Sequence, residues 1–451
     1  MDNTFGNLFF VGFQKNINTS LLEKINPAGI ILYPENMKDV SSLQLSMERI
    51  YSLFDKGYKF FISSDHEGGQ LETVPNVFPS PGNLAFGMEG GARLYGNYLG
   101  NLLSLHGFNT LFAPVVDVKY SFSSHVTGFR AFSSDHEIVE KASRDFIEGL
   151  SEYGIAATLK HFPGHGRAVS DSHFVLPIVE DFDENDRDVL VFRKLANCAD
   201  FIMTAHVVYP DVDDVIATLS KRWLHEVLRE DFGFDGLILS DAFEMGALKK
   251  YYSPREAIRK FFEADGDIIL ISDVENNLEI IETFYSMVET GELDRDLLNE
   301  KSKKVERIKN KYVKNTYPAR FLSDTSKKVI KANISSPILE PSFVIPTPQN
   351  LSLADTTERD LKSIRELILT EFPNSHVYYE DEAIKMSFIG PVVYFVLDGV
   401  KNIDAKRIIY VFLRKFDDET ENNYSEFVIP YSSKLISVYH VLQLIKREGA
   451  V

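Results

Sequence analysis

Residues 160–173 read KHFPGHGRAVSDSH. Three histidines, a lysine and an aspartate share this short stretch with two glycines and a proline, and three chemistries compete for it. His161, His165, Asp171 and His173 are all possible zinc ligands. However, two histidines four apart act together from one helical face, and Pro163 and Gly164 between them break a helix. The residues could instead be ordinary loop histidines bonded to backbone, although three of the chain's 11 are concentrated here. The third chemistry is proton transfer. Asp171 and His173, two apart in an extended segment, point to one side, where the carboxylate orients the imidazole and favours its protonated form. Such a general acid needs a partner across the bond being broken, and Asp241 in SDAFEM supplies one. At the end of an apolar run, Asp241 is equally placed to cap a following helix.

These side chains need a frame. Eight short apolar runs recur, each rich in β-branched or aromatic residues: NLFFVGF, AGIILY, YKFFISS, FNTLFA, IAATLK, DFIMTA, DGLILS and GDIILIS. Amphipathic segments lie between them, at 41–54, 92–106, 136–153, 221–232 and 254–264, with apolar residues three and four apart. Gly57, Gly107, Gly154 and Gly233 stand where helices end. Runs that are continuous rather than alternating predict strands covered on both faces. Eight parallel strands close a barrel, so the expected fold is an α/β (β/α)8 TIM-type barrel. Asp65, Asp117, Lys160 with His161, His206 and Asp241 all follow such runs, which brings them to the carboxyl face, where barrels build active sites.

A chain of 451 residues exceeds what one core sustains, and two domains are expected. Residues 1–315 read as the barrel, 316–340 as a linker with a connecting helix, and 341–451 as a smaller α/β domain. In that last part, strand candidates begin near Phe343, His376, Val392, Arg407 and Glu426. The net charge of -18 disfavours nucleic acid and anionic membranes as partners. Cys198, the single cysteine, reads as a small residue buried at a helix end. The N-terminal apolar run lacks the flanks of an export signal, and no run approaches membrane-spanning length, so a cytoplasmic protein is expected.

KHFPGHG with DSH is accompanied, in order, by DHEGG (65–69), APVVDV (113–118), GFRAF (128–132), MTAHVVYP (203–210) and FDGLILSDAFEMGAL (234–248). This set resembles the β-N-acetylglucosaminidase branch of family 3 glycoside hydrolases. The match runs through the whole proposed barrel; the last domain is similar, less distinctly, to the α/β domain of two-domain members. The resemblance implies that Asp241 is the nucleophile and His173 the acid/base, assisted by Asp171. It also implies that Asp65, Arg130, Lys160 and His161 bind the terminal N-acetylglucosamine, with His206 and Met245 lining the same pocket. The implied partner is a small oligosaccharide containing N-acetylglucosamine, and no cofactor or metal is required.

One departure stands out. After DHEGG the family continues with arginines, whereas this chain has Gln70 and Thr73. Losing a charge-assisted hydrogen bond costs about 1.5–3 kcal/mol, enough to weaken sugar binding. Two rival functions stand beside hydrolysis. A phosphorylase would exploit a histidine, which tolerates incoming phosphate better than a carboxylate does. A non-catalytic sugar-binding barrel would account for the missing arginines.

Overall fold

The computed structural model describes residues 4–120, 127–168, 176–182, 186–328, 331–333, 338, 341–346, 357–396, 400–413, 424, 426–430 and 435–449. The chain forms two compact units, Met1–Pro318 and Ala319–Val451.

Each of the eight apolar runs contributes a strand to the first unit. They are β1 (Phe9–Gly12), β2 (Gly29–Ile31), β3 (Phe61–Ser63), β4 (Thr110–Leu111), β5 (Ala156–Phe162), β6 (Phe201–Thr204), β7 (Leu237–Leu239) and β8 (Ile269–Ile271). Two parallel arcs result, ordered β3-β2-β1-β8 and β4-β5-β6-β7. Backbone hydrogen bonds cross both seams. Asn109 and Phe112 donate to the carbonyls of Ile62 and Ser64 between β3 and β4, and Ser240 donates to Ile268 between β7 and β8. This is the (β/α)8 barrel expected from the strand count.

Its interior is filled by rings from strands that are not neighbours. Phe10 of β1 meets Phe112, just past β4, at 5.0 Å between centroids, and Phe61 of β3 meets Phe201 of β6 edge-on at 5.0 Å. Contacts between non-adjacent strands require side chains that point inward, as in a packed barrel core. The strand residues are buried throughout, which is why the runs lack polar alternation.

The expected helices form at Val40–Phe54, Ala92–His106, His136–Ser151, Arg222–Asp231 and Pro254–Glu263. Side chains of Asp39, Asp135 and Ser253 accept N–H bonds at three of their starts, satisfying donors a helix cannot pair internally. Gly57, Gly107, Gly154 and Gly233, expected at helix ends, all have positive φ. Cys198 is a correction. It sits half-buried on a short 3-10 turn, where Arg144 donates to its sulfur at 2.8 Å.

The second unit holds a six-stranded sheet: Val377–Tyr379, Ser342–Ile345, Val392–Val396, Ile408–Phe412, Phe427–Ile429 and Lys331–Asn333. All pairings are parallel except the last, an edge strand antiparallel to Phe427–Ile429. Helices Thr357–Glu371 and Leu435–Gly449 accompany it. Residues 316–340, read from sequence as a linker with a connecting helix, contain helix Arg320–Lys328 and also supply this unit with that edge strand. Ser323 of that helix bonds His440 at 3.1 Å. Among the described residues no helix is long and apolar enough to cross a membrane.

Candidate active site

At the carboxyl ends of β3 and β5 a single carboxylate organises two cations. Glu67, two residues past Asp65, accepts a bidentate pair from Arg130, Nε to Oε2 and Nη2 to Oε1, both at 2.8 Å. Lys160 Nζ, on β5, lies 2.6 Å from Glu67 Oε1 and 2.7 Å from Asp65 Oδ1. The side chains of Glu67 and Lys160 are 1% and 2% exposed and that of Asp65 27%, so the cluster opens to solvent at Asp65. Burial alone would neutralise Glu67, but Lys160 and Arg130 outweigh it and hold the carboxyl well below its usual range. Burial likewise opposes the charge on Lys160, and Asp65 with Glu67 overcomes it and raises its pKa. Asp65, Arg130 and Lys160 are thus brought together as expected. Glu67 was not singled out by the sequence reading.

A second carboxylate orders the histidine loop. Asp117, past β4, accepts from His161 Nδ1 at 2.8 Å and from the backbone N–H groups of His161 at 3.2 Å and His165 at 2.8 Å. Burial would raise its pKa, yet His161 and His165 bring it below the ordinary value. With Nδ1 held by Asp117, Nε2 is the edge of His161 that faces elsewhere. His165, left without a role by the sequence, is 3% exposed and stands edge-on to His161 at 6.1 Å. Burial depresses its pKa, so the ring favours the neutral form.

Asp241 lies two residues past the end of β7. Its Oδ1 accepts from the Ala242 N–H at 2.8 Å. The next helix begins only at Gly246, without a side-chain cap, so Asp241 is not a helix cap. Its charge acts on His165 and, together with Asp65 and Glu244, on the phenol of the half-buried Tyr33, whose pKa is raised first by burial and then by these three. Asp65, Asp117 and Asp241 therefore share one face of the barrel. His206 requires a correction. It is fully buried, its Nδ1 on Thr218 Oγ1 at 2.9 Å and its Nε2 on the Ala242 carbonyl at 3.0 Å. Rather than lining a pocket, it steadies the turn that presents Asp241. Met245, 9% exposed, lies on that same turn.

Asp171 and His173 lie outside the described residues. The chain on either side of them is tied down. Arg167 donates to the carbonyls of Asp181 at 3.1 Å and Glu180 at 2.6 Å and to Asp186 Oδ2 at 3.0 Å. Gln70 is exposed at the tip of the Gly68–Leu71 turn. Thr73 faces the frame, its hydroxyl on Ser64 Oγ at 2.7 Å and the Asp65 carbonyl at 3.2 Å. Its N–H and that of Val74 both donate to His66 Nδ1 at 3.0 Å. His66 must accept there, so it is neutral; burial takes its pKa from the ordinary 6.5 to about 4, against the pull of Glu72 and Glu67. Among the described residues no group of three or more His, Cys, Asp or Glu is arranged to hold a metal ion.

An anchored aspartate at the mouth of a barrel that also carries two cations clamped on a buried carboxylate is an arrangement with relatives. The family model described as "Glycosyl hydrolase family 3 N terminal domain" matches residues 1–308. The chain belongs to glycosyl hydrolase family 3. It is a glycoside hydrolase, and the model described as "Beta-N-acetylglucosaminidase, C-terminal domain" matches residues 339–445. A beta-hexosaminidase of Hydrogenovibrio crunogenus is 37% identical over 258 residues, 54% of this chain and 71% of that one. The structure of the beta-N-acetylglucosaminidase from Thermotoga maritima superposes with a TM-score of 0.85 at 33% identity, covering 97% of this chain and 99% of that one. NagZ from Neisseria gonorrhoeae, solved with N-trifluoroacetyl-D-glucosamine, gives a TM-score of 0.56 at 28% identity over 66% of this chain and 89% of its own.

Proposed function

We propose that this family 3 hydrolase is a retaining exo-β-N-acetylglucosaminidase acting on peptidoglycan fragments or chitooligosaccharides in the cytoplasm. The observation that carries the reading is the shared face of Asp241 with the Asp65–Glu67–Arg130–Lys160 cluster. It pairs a fixed nucleophile with donors for a sugar's hydroxyls. Lys160 commits two of its three N–H groups to Asp65 and Glu67, which leaves one for the ligand. Asp65 offers an acceptor, and His161 presents Nε2. The relatives' names, and the N-acetylglucosamine analogue bound by NagZ, support the choice of sugar.

In this reading Asp241 attacks the anomeric carbon as His173, oriented by Asp171, gives its proton to the departing glycosidic oxygen. A glycosyl ester on Asp241 results. His173 then takes a proton from water, whose oxygen displaces Asp241 and restores the β configuration. The dyad replaces the second carboxyl group that retaining glycosidases usually employ.

The test is hydrolysis of p-nitrophenyl N-acetyl-β-glucosaminide. Asp241→Ala should lose at least about 10³-fold in kcat with an unchanged melting temperature. Faster turnover of the plain β-glucoside would refute the specificity. Products formed in phosphate buffer decide between free sugar and sugar 1-phosphate, the mark of a phosphorylase. Saturable binding of N-acetylglucosamine without turnover would instead mark a sugar-binding barrel.

A further inference from the structure

Asp188 is a fully buried carboxyl group to which the mechanism assigns nothing. It lies in the first turn of helix Arg187–Leu195, and its Oδ1 accepts the Val118 N–H. Val118 follows Asp117, the residue that holds His161 and the His165 N–H. From the other side the histidine loop rests on the same group. A Cβ at Gly164 would lie 2.3 Å from Asp188 Cβ and 2.7 Å from its Cγ. One at Gly166 would lie 1.9 Å from the Val118 carbonyl oxygen and 3.0 Å from Asp188 Oδ1. Gly164 also has φ +145°. Only glycines let the turn settle so closely. Asp188 Oδ2 is buried with no hydrogen-bond partner among the described residues.

We propose that Asp188 is a positioning residue, a buried carboxyl group on which the Gly164–Gly166 turn and the Asp117–Val118 segment are both seated. The seat fixes His161 and His165 on Asp117, and it fixes one end of the chain that leads to Asp171 and His173.

The surroundings keep that carboxyl group neutral. Burial is the largest influence, followed by the charges of Asp117 and Asp186; the Val118 N–H and Arg187 oppose them, and the pKa is raised well above the ordinary value. Tyr209 and Tyr120, also packed here, have raised pKa values themselves, burial first and Asp188 next, and bring no positive charge; a further cation beside them, Arg167, is paired with Asp186 at 3.0 Å. Tyr209 donates to the Gly164 carbonyl at 3.0 Å, so the turn is gripped from a second side.

Asp188→Asn keeps shape and neutrality; Asp188→Ala removes the seat. On p-nitrophenyl N-acetyl-β-glucosaminide near pH 6, the alanine variant should lose at least tenfold in kcat with KM within threefold. The asparagine variant should stay within threefold of wild type in both. Gly164→Ala approaches the same contact from the loop and should match Asp188→Ala, which covers the case in which Asp188→Ala does not fold.

The proposal rests on the hydrolase reading for this kinetic arm only. Trypsin cleavage after Arg167 should be faster in Asp188→Ala and Gly164→Ala than in wild type or Asp188→Asn, whatever the enzyme's substrate. Between pH 5 and 8 the melting temperature of Asp188→Asn should rise relative to wild type. The unfolded wild type ionises Asp188 at the ordinary value while the folded state keeps the proton, so rising pH favours unfolding of wild type alone. Three results would overturn the proposal: wild-type kcat and trypsin resistance in Gly164→Ala, loss of kcat in Asp188→Asn, or a pH-independent melting difference.

Discussion

The barrel has buried ion clusters at both ends, built from the same side-chain types. At the carboxyl end, Glu67 holds Arg130 and Lys160 beside a half-buried Asp65. At the amino end, just before β8, Asp267 holds Arg229 and Lys301, with Lys304 at 3.6 Å. The lower cluster also includes Asp265, 30% exposed, whose Oδ1 lies 2.7 Å from Lys301 Nζ, but its buried groups turn to the backbone. Asp267 Oδ2 accepts the Ile238 N–H at 2.8 Å, and Arg229 donates to the carbonyls of Phe234 at 2.9 Å and Gly236 at 2.6 Å. It ties two helices to the barrel floor. In the upper cluster Glu67 and its two partners, Arg130 and Lys160, are side chains from three βα units that pair with one another. The comparison teaches that a buried ion network is not in itself a functional sign. The sign is which of its groups remain directed at something other than the protein.

Removing one cation from each cluster tests this contrast most strongly. Lys160→Met and Lys301→Met each leave a buried carboxylate short of a partner and should cost about 3–5 kcal/mol in denaturant unfolding. Only Lys160→Met should also raise KM for the N-acetylglucosaminide in the folded fraction; an equal change in Lys301→Met would break the distinction.

Acid separates the two ends by pH window. His66, whose pKa is about 4 in the fold against 6.5 outside it, takes its proton first in the unfolded chain. Stability therefore falls as pH drops from 6.5 towards 4, by about 3 kcal/mol for this group. Burial would raise Asp267, but Arg229, Lys301 and Lys304 hold it at about 2 against an ordinary 3.8. Its contribution, about 2 kcal/mol, is present above 3.8 and lost as pH falls through 2. Melting curves of His66→Asn and Asp267→Asn should flatten in the upper and lower windows respectively. Flattening of the same window by both would show the ends to be coupled.

The smallest expected effect is at Thr73. Because its hydroxyl serves Ser64 and the Asp65 carbonyl, Thr73→Val should cost about 1 kcal/mol of stability and leave KM unchanged. A clear rise in KM would instead make Thr73 a sugar contact.

The strands were legible because each is an apolar run bounded by polar residues, and the helices because their caps and periodicity are local. Local signals do not reach across the barrel. Glu67 shows no partner in DHEGG, because Arg130 and Lys160 lie 63 and 93 positions away. Asp117 was visible at a strand end but not as the acceptor for two histidines. His206 carries the opposite lesson: its place after β6 is that of a site residue, and only packing reveals that both ring nitrogens are spent on Thr218 and Ala242. Thr73 departs from the family pattern without becoming a gap, because its hydroxyl has work inside the frame.

Glu67 follows β3, Arg130 belongs to the turn after β4, and Lys160 stands on β5. Barrels diversify by exchanging the loop of one βα unit while the others stay in place. Here such an exchange strands a buried charge whichever of the three units is replaced. The segment from 61 to 162 should therefore be inherited as a block, with Glu67, Arg130 and Lys160 retained or lost together across related sequences.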